Sequence, residues 1–153
     1  LRLFAIYGPY EAPGRLIADI MCALVRNTVL ELSSPNPTRD FIYMEDTIQA
    51  MLLAAQAERA SGEVLNIASG IEYSVGEVVE RAMNVVGKSI PLRWGNEEKR
   101  RDYDTTRWVA DISKAKSVLG WAPTHTLDEG LRATFDWYNQ HMHLYNHDTT
   151  NTR

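Results

Sequence analysis

With 153 residues and a net charge of −4, the chain has the length of about one domain and lacks the cationic surface expected of a nucleic-acid binder. A composition of 44% hydrophobic and 24% charged residues suits a soluble globular protein, and no stretch has the length and apolarity of a membrane span or the pattern of a signal peptide. The one cysteine, Cys22, leaves no internal disulfide and suits a reducing cytoplasm; its apolar helical surroundings predict a packing role.

The first residue, Leu1, opens directly into a strand predicted over residues 1–7, ended by the breaker pair Gly8-Pro9. A strand needs neighbours for its backbone hydrogen bonds, so a chain that begins inside one is expected to be a fragment. Leu16, Ile17, Ile20, Met21, Leu24 and Val25 recur at helical spacing and predict an amphipathic helix over residues 15–26. A short strand follows at 28–32, then a proline-rich loop that delivers Arg39 to the apolar run Phe41-Ile42-Tyr43. That run passes into a helix over 45–59, with Ile48, Met51, Leu52 and Ala55 predicted as its buried face.

Residues 63–68 read as the next strand. Ser74 and Glu77 have capping-box spacing at the head of a helix ending near Val86. Strands are predicted at 90–94 and 108–110, with a charged loop between them. Asp111 is expected to cap a helix over 112–119. Thr126 and Glu129 form a second capping box, opening a helix with Leu127, Leu131, Thr134, Phe135 and Tyr138 on one face. Residues 142–153 read as a polar, fraying tail. Alternating helices and short strands predict the α/β class.

Phosphate-binding glycine loops and a nucleophile elbow are missing from the sequence. His141, His143 and His147 have some metal-ligand spacing but lie in the polar tail without an acidic second shell, so no metal site is expected. Two loop arginines are better candidates. Arg39 and Arg101 each precede a β-like segment, and two planar guanidinium forks could clamp a diphosphate. Arg15, heading the first helix, could add a third positive group beside that helix's N-terminal amides. The competing reading of Arg39 is a surface ion pair with Asp40 or another nearby carboxylate.

The ordered motifs resemble one family. The segment Arg2-Leu3-Phe4-Ala5-Ile6-Tyr7-Gly8-Pro9 resembles the Arg-x-Phe-Asn-x-Tyr-Gly-Pro strand end of NAD(P)-dependent nucleotide-sugar epimerases and dehydratases, the extended short-chain dehydrogenase/reductases. Arg39-Asp40-Phe41-Ile42-Tyr43-Met44-Glu45-Asp46 resembles their Arg-Asp-Phe-Ile-Tyr-Val-x-Asp. Asn66-Ile67-Ala68-Ser69-Gly70, Arg101-Asp102-Tyr103-Asp104, Ala110-Asp111-Ile112-Ser113-Lys114-Ala115 and Leu119-Gly120-Trp121-Ala122-Pro123 follow in the family's order. The likeness extends over residues 1–141.

It implies a carboxyl-terminal substrate domain plus the last strands of a Rossmann-type parallel sheet, near residues 1–7 and 63–68. The N-terminal cofactor-binding half, with the glycine-rich dinucleotide loop and the Tyr-x-x-x-Lys pair, would be missing, leaving this chain without catalytic residues. The ligands implied are a nucleotide-diphosphate sugar and, in the intact enzyme, NAD or NADP; the intact enzyme is expected to be a homodimer. By motif position, Arg39 and Arg101 would contact the diphosphate, with Asp104 closing the Arg-x-x-Asp motif. Arg15 and Leu16 would lie near the sugar nucleotide, and Leu30, Glu31 and Leu32 would flank the base. Trp108 would stand near the nucleotide, and the Phe4 backbone near the nicotinamide. Ala5 replaces the usual Asn, Ser33-Ser34-Pro35-Asn36 replaces Gly-Asp-Gly, and Asp102-Tyr103 replaces Pro-Gly. Some members also carry Tyr at the position of Phe41. These departures bear on the sugar and base rather than on the family. A non-catalytic nucleotide-binding or assembly module derived from the family is the alternative.

Overall fold

The structure is a computed structural model that describes residues 1–95 and 107–145. The predicted first strand is bent into two pieces, β1 (Arg2–Leu3) and β2 (Ala5–Tyr7), with different partners. β1 pairs in parallel with β6 (Asn66–Ile67), and β2 pairs in parallel with β5 (Phe41–Tyr43). The bend is tight: the Ile6 N–H donates to the Phe4 carbonyl at 2.8 Å. β3 (Leu30–Leu32) runs parallel to β8 (Leu92–Trp94), and β4 (Thr38–Arg39) runs antiparallel to β7 (Tyr73–Ser74). Arg2 and Phe4 donate to the Leu65 and Ile67 carbonyls along one edge of the first strand. Peptide alternation turns Leu3 toward the opposite edge, where β1 has no partner strand among the described residues.

Side-chain alternation on β2 and β5 separates two cores. Tyr7, Phe41 and Tyr43 enter a large core with α1 (Leu16–Arg26), α3 (Val75–Val86) and α5 (Leu127–His141). Ile42 and the partly buried Ile6 face a smaller core with α2 (Met44–Gln56) and α4 (Ser113–Leu119). Helix α1 buries Ile17, Ile20, Met21 and Leu24, one face of a helical repeat, and ends where Asn27 turns left-handed (φ 54°). Both predicted capping boxes form, Ser74 with Glu77 and Thr126 with Glu129. Cys22 is half-buried at the edge of the large core, where burial pushes its thiol pKa up.

Several expectations are corrected. The apolar stripe of α2 faces outward: Ile48, Met51 and Leu52 are exposed, whereas Asp46, Thr47 and Ala50 are buried. The small and hydrogen-bonded residues allow close packing against α4 and β5, so size and polar satisfaction override the apolar pattern. Helix α2 also stops at Gln56, and Glu58–Ala60 forms a separate 3-10 turn. Residues 108–110 form no strand, because the Ala110 N–H is bound by a carboxylate rather than a neighbouring strand. Asp111 does not occupy the cap position of α4, which falls to Ile112; its carboxylate accepts from the Ser113 N–H instead. The chain does not fray directly after His141. Met142–Tyr145 form a 3-10 turn whose Tyr145 ring stacks on Tyr138 at 4.7 Å and whose carbonyl accepts from Arg26.

One contact fixes α5 against β2. A Cβ added at Gly130 would lie 2.1 Å from the Tyr7 hydroxyl oxygen and 2.8 Å from Cζ of its ring. Tyr7 is held by burial, by its neighbour Tyr43 at 5.7 Å and by donation to the Leu127 carbonyl. Gly130→Ala is therefore expected to destabilise the fold by about 1–3 kcal/mol through overpacking. That cost outweighs the gain of about 1 kcal/mol that alanine brings inside a helix. Urea unfolding measures the balance, and a variant as stable as wild type would mean that the tyrosine ring moves aside freely.

Candidate functional site

The Arg39 motif lies where three chain segments meet. β4 presents Arg39 opposite Tyr73, and the guanidinium, half-buried, donates from Nη1 to the Thr38 carbonyl at 2.7 Å. The Asp40 arm of the competing reading is not met, because no ion pair between Arg39 and Asp40 is present. Asp40 is fully buried, and its carboxylate is used elsewhere. Oδ1 accepts from the Ser69 N–H (2.7 Å) and hydroxyl (2.6 Å), and Oδ2 accepts from the N–H groups of Gly70 (3.0 Å) and Ala110 (3.1 Å). Four donors on one carboxylate satisfy the charge that burial would otherwise penalise.

Beside it, the Thr38 hydroxyl and Arg107 Nε donate to the two oxygens of Glu72 at 2.8 and 2.7 Å. The Arg107 and Thr38 hydrogen bonds hold the Glu72 carboxyl below its ordinary pKa. Trp108 stands at the surface with its ring edge-on to Phe4, centroids 6.1 Å apart. Phe4 in turn packs on a small buried cluster of Ala68, Ala110 and Ile112. Arg39, Trp108 and Phe4, distant in sequence, thus share one framework.

Other predicted positions lie apart from this framework. Arg15 is exposed and its Nε donates to Glu11 at 2.7 Å. Burial raises the Glu11 carboxyl pKa although Arg15 opposes it, and Glu11 Oε2 is buried without a hydrogen-bond partner. Leu16 opens α1, partly buried against the large core. Leu30 is buried in β3, Glu31 points outward and pairs with Arg93 across the β3–β8 ladder, and Leu32 is half-buried. Arg101 and Asp104 lie outside the described residues, as do Asp102, Tyr103 and His147. His141 stacks on Trp137 and its Nδ1 donates to the Trp137 carbonyl. Among the described residues, no group of three or more His, Cys, Asp or Glu side chains is arranged to hold a metal ion. No described helix is long and apolar enough to cross a membrane.

The sequence reading missed a cleft of about 220 Å³ whose lining includes Tyr7, Tyr43, Tyr73, Asp46 and His125. Asp46 forms a second buried carboxylate knot, accepting from the N–H and hydroxyl of Thr124, the N–H of His125 and the imidazole Nδ1. Burial pushes the Asp46 pKa up, but the hydrogen bonds from Thr124 and His125 outweigh it and hold the carboxyl below its usual range. Both carboxylates stand in the quoted motif. The signal that could have revealed their burial is position, since each adjoins or lies close to the apolar run at 41–43.

Comparison with known proteins bears on the whole arrangement. Residues 1–134 match the family described as GDP-mannose 4,6-dehydratase. A UDP-glucuronate 4-epimerase from Thermodesulfobacterium geofontis is 28% identical over 146 residues, which cover 94% of this chain and 44% of the relative. A UDP-glucose 4-epimerase from Lactobacillus helveticus is 35% identical over 110 residues, covering 70% of this chain and 32% of the relative. Among solved structures, the UDP-glucuronic acid 4-epimerase of Bacillus cereus in complex with UDP-glucuronic acid and NAD superposes with a TM-score of 0.82 at 28% identity. That match covers 91% of this chain and 44% of the other. The dTDP-glucose 4,6-dehydratase of Bacillus anthracis in complex with NAD gives a TM-score of 0.81 at 26% identity, over 93% and 44% of the two chains. The chain therefore spans less than half the length of these relatives. With its family motifs in order, its Rossmann-type α/β arrangement and a match over residues 1–134, the chain belongs to the epimerase/dehydratase family of extended short-chain dehydrogenase/reductases.

Proposed function

We propose that this chain supplies the nucleotide-sugar-binding part of an NAD(P)-dependent nucleotide-diphosphate-sugar epimerase or dehydratase. The observation that carries the proposal is Arg39, presented on β4 within the family motif and set beside the segment bearing Trp108. A guanidinium so placed suits a diphosphate, because its planar fork makes two parallel charge-assisted hydrogen bonds to phosphate oxygens. In this reading Arg101 completes the diphosphate clamp, with Asp104 in the same motif. Arg15 and Leu16 lie toward the sugar nucleotide, Leu30, Glu31 and Leu32 flank the base, and Trp108 adjoins the nucleotide.

Phe4 is the position assigned to the nicotinamide. It fits a backbone approach: its ring is turned onto the cluster at Ala68, and small Ala5 follows it. A nicotinamide held beside the Phe4 backbone would supply hydride-transfer chemistry at a sugar carbon, with the hydroxyl proton passing to a base. The base and the dinucleotide loop would come from a companion half, and this chain alone would not turn over. The edge of β1 that has no partner strand among the described residues, and the exposed Leu1, Leu3 and Val64, support such a companion. An open strand edge and exposed apolar side chains call for covering. A homodimeric cytoplasmic enzyme is the whole-protein form proposed. The exposed apolar face of α2 favours a second reading, an assembly module without redox chemistry.

Titration calorimetry with UDP-, dTDP-, CDP- and GDP-sugars tests the binding role. Arg39→Ala is expected to weaken nucleotide-sugar binding by about 1.5–3 kcal/mol, the scale of hydrogen bonds to a charged group. An unchanged affinity would remove Arg39 from the diphosphate site.

A further inference from the structure

The buried Asp40 joins segments to which the proposed function gives three separate ligand roles. Its backbone carbonyl accepts from the Ala5 N–H at 3.2 Å, immediately after Phe4. Its side chain holds Ser69 and Gly70 in the turn after β6, and holds Ala110, two residues beyond Trp108. Arg39 is its chain neighbour. Resting on the binding role proposed above, we propose that Asp40 is a positioning residue for the nucleotide sugar. It sets residues 107–110, and with them Trp108, at a fixed distance from Arg39 and Phe4.

Two observations favour Asp40 over Glu72, the other carboxylate tied to this segment among the described residues. Glu72 also links residues 107–110 to β4, through Arg107 and Thr38, but the Arg107 side chain is 75% exposed. An exposed pair of this kind is worth little because water and salt compete for both charges. The Asp40 carboxylate is buried, and so is its bond to Ala110, where water offers no alternative partner to the Ala110 N–H. The carboxylate is also saturated by neutral donors, so it holds the segment without drawing on the Arg39 guanidinium. A charge that paired with Arg39 would compete with a phosphate; Asp40 does not.

The test compares Asp40→Asn, Glu72→Gln and Arg39→Ala in the full chain, below the melting temperature of each. Affinity for UDP-glucose and dTDP-glucose is read by calorimetry, and amide hydrogen exchange is read at Ala110 and Ile67. Asp40→Asn is expected to weaken binding at least about ten-fold and to speed exchange at Ala110 while Ile67 stays protected. Glu72→Gln is expected to stay within about three-fold of wild type. A folded Asp40→Asn with wild-type affinity, while Arg39→Ala binds weakly, would overturn the positioning role and leave the diphosphate site standing. Wild-type affinity in both variants would overturn the diphosphate site itself. A general loss of protection at Ile67 as well as Ala110 would make Asp40 a fold staple and overturn the proposal. Should Asp40→Asn fail to fold, wild-type exchange decides. Protection of Ala110 matching that of Ile67 supports the anchor, and exchange at the rate of exposed chain overturns it.

Discussion

Replacing Trp121 by alanine is expected to lower the free energy of unfolding by about 3–5 kcal/mol, the range for deleting a large buried aromatic. Trp121 is 2% exposed and fills the smaller core among Ile42, Ala50, Leu65, Ile67, Ala115 and Leu119. Its indole N–H donates to the Asp46 carbonyl at 3.1 Å, so the side chain joins the segment after α4 to the first turn of α2. Alanine would leave a cavity and remove the second donor from a carbonyl that already accepts within α2. Trp121→Phe separates the two losses: it keeps most of the volume but removes the donor, and should cost about 1–2 kcal/mol. Chemical denaturation gives both values. A loss below about 1 kcal/mol for alanine would mean that α2 and α4 collapse onto each other without the indole.

The order of elements was legible in the sequence because local chemistry and packing agree there. Helices α1, α3 and α5 combine a regular apolar face with a capping signal or a terminating Gly or Asn, and they form where expected. Helix α2 was legible as a helix but not in its orientation. Its apolar stripe at Ile48, Met51 and Leu52 was read as the buried face, yet it is the face left outside in this chain. Periodicity reports only that a helix has two faces; which of them meets the core was set by Asp46 finding partners on residues 124 and 125. The same limit applies at residues 108–110. Their composition is strand-like, but their backbone partner is a side chain about 70 residues earlier, which no local pattern encodes.

Within the candidate site, the framework of Arg39, Trp108 and Phe4 was available only through the ordered motifs. Asp40 was seen in the sequence, but as a competitor for Arg39. Its burial reverses that reading, since a carboxylate with four other donors is not available to neutralise the arginine. The family likeness identifies which residues stand at which motif positions. It does not show which hydrogen bonds hold them there.

Removing Asp46 is the second large effect, expected at about 3–4 kcal/mol for Asp46→Ala at neutral pH. Hydrogen bonds to a charged acceptor contribute about 1.5–3 kcal/mol each, but the Thr124 and His125 donors can partly rehydrate because they lie near the surface. The acid dependence follows from the depressed pKa of this carboxyl. An unfolded aspartate titrates near about pH 3.9, so above that value the ionised carboxylate contributes its full stabilisation. As pH falls below it and through the lower folded-state pKa, the native protein must take up a proton, and the contribution is lost. Asp46→Asn carries no titrating carboxyl at that position, although the His125 imidazole stays beside it in both proteins. The stability gap between wild type and Asp46→Asn should therefore be wide at pH 7 and narrow as the solution is acidified below about pH 4. Comparing the two proteins cancels the acid response of the depressed carboxyls remote from Asp46, namely Glu72, Glu77 and Asp111. A gap that stayed constant between pH 7 and pH 3 would mean that Asp46 holds the turn at residues 124 and 125 by shape alone, without its charge.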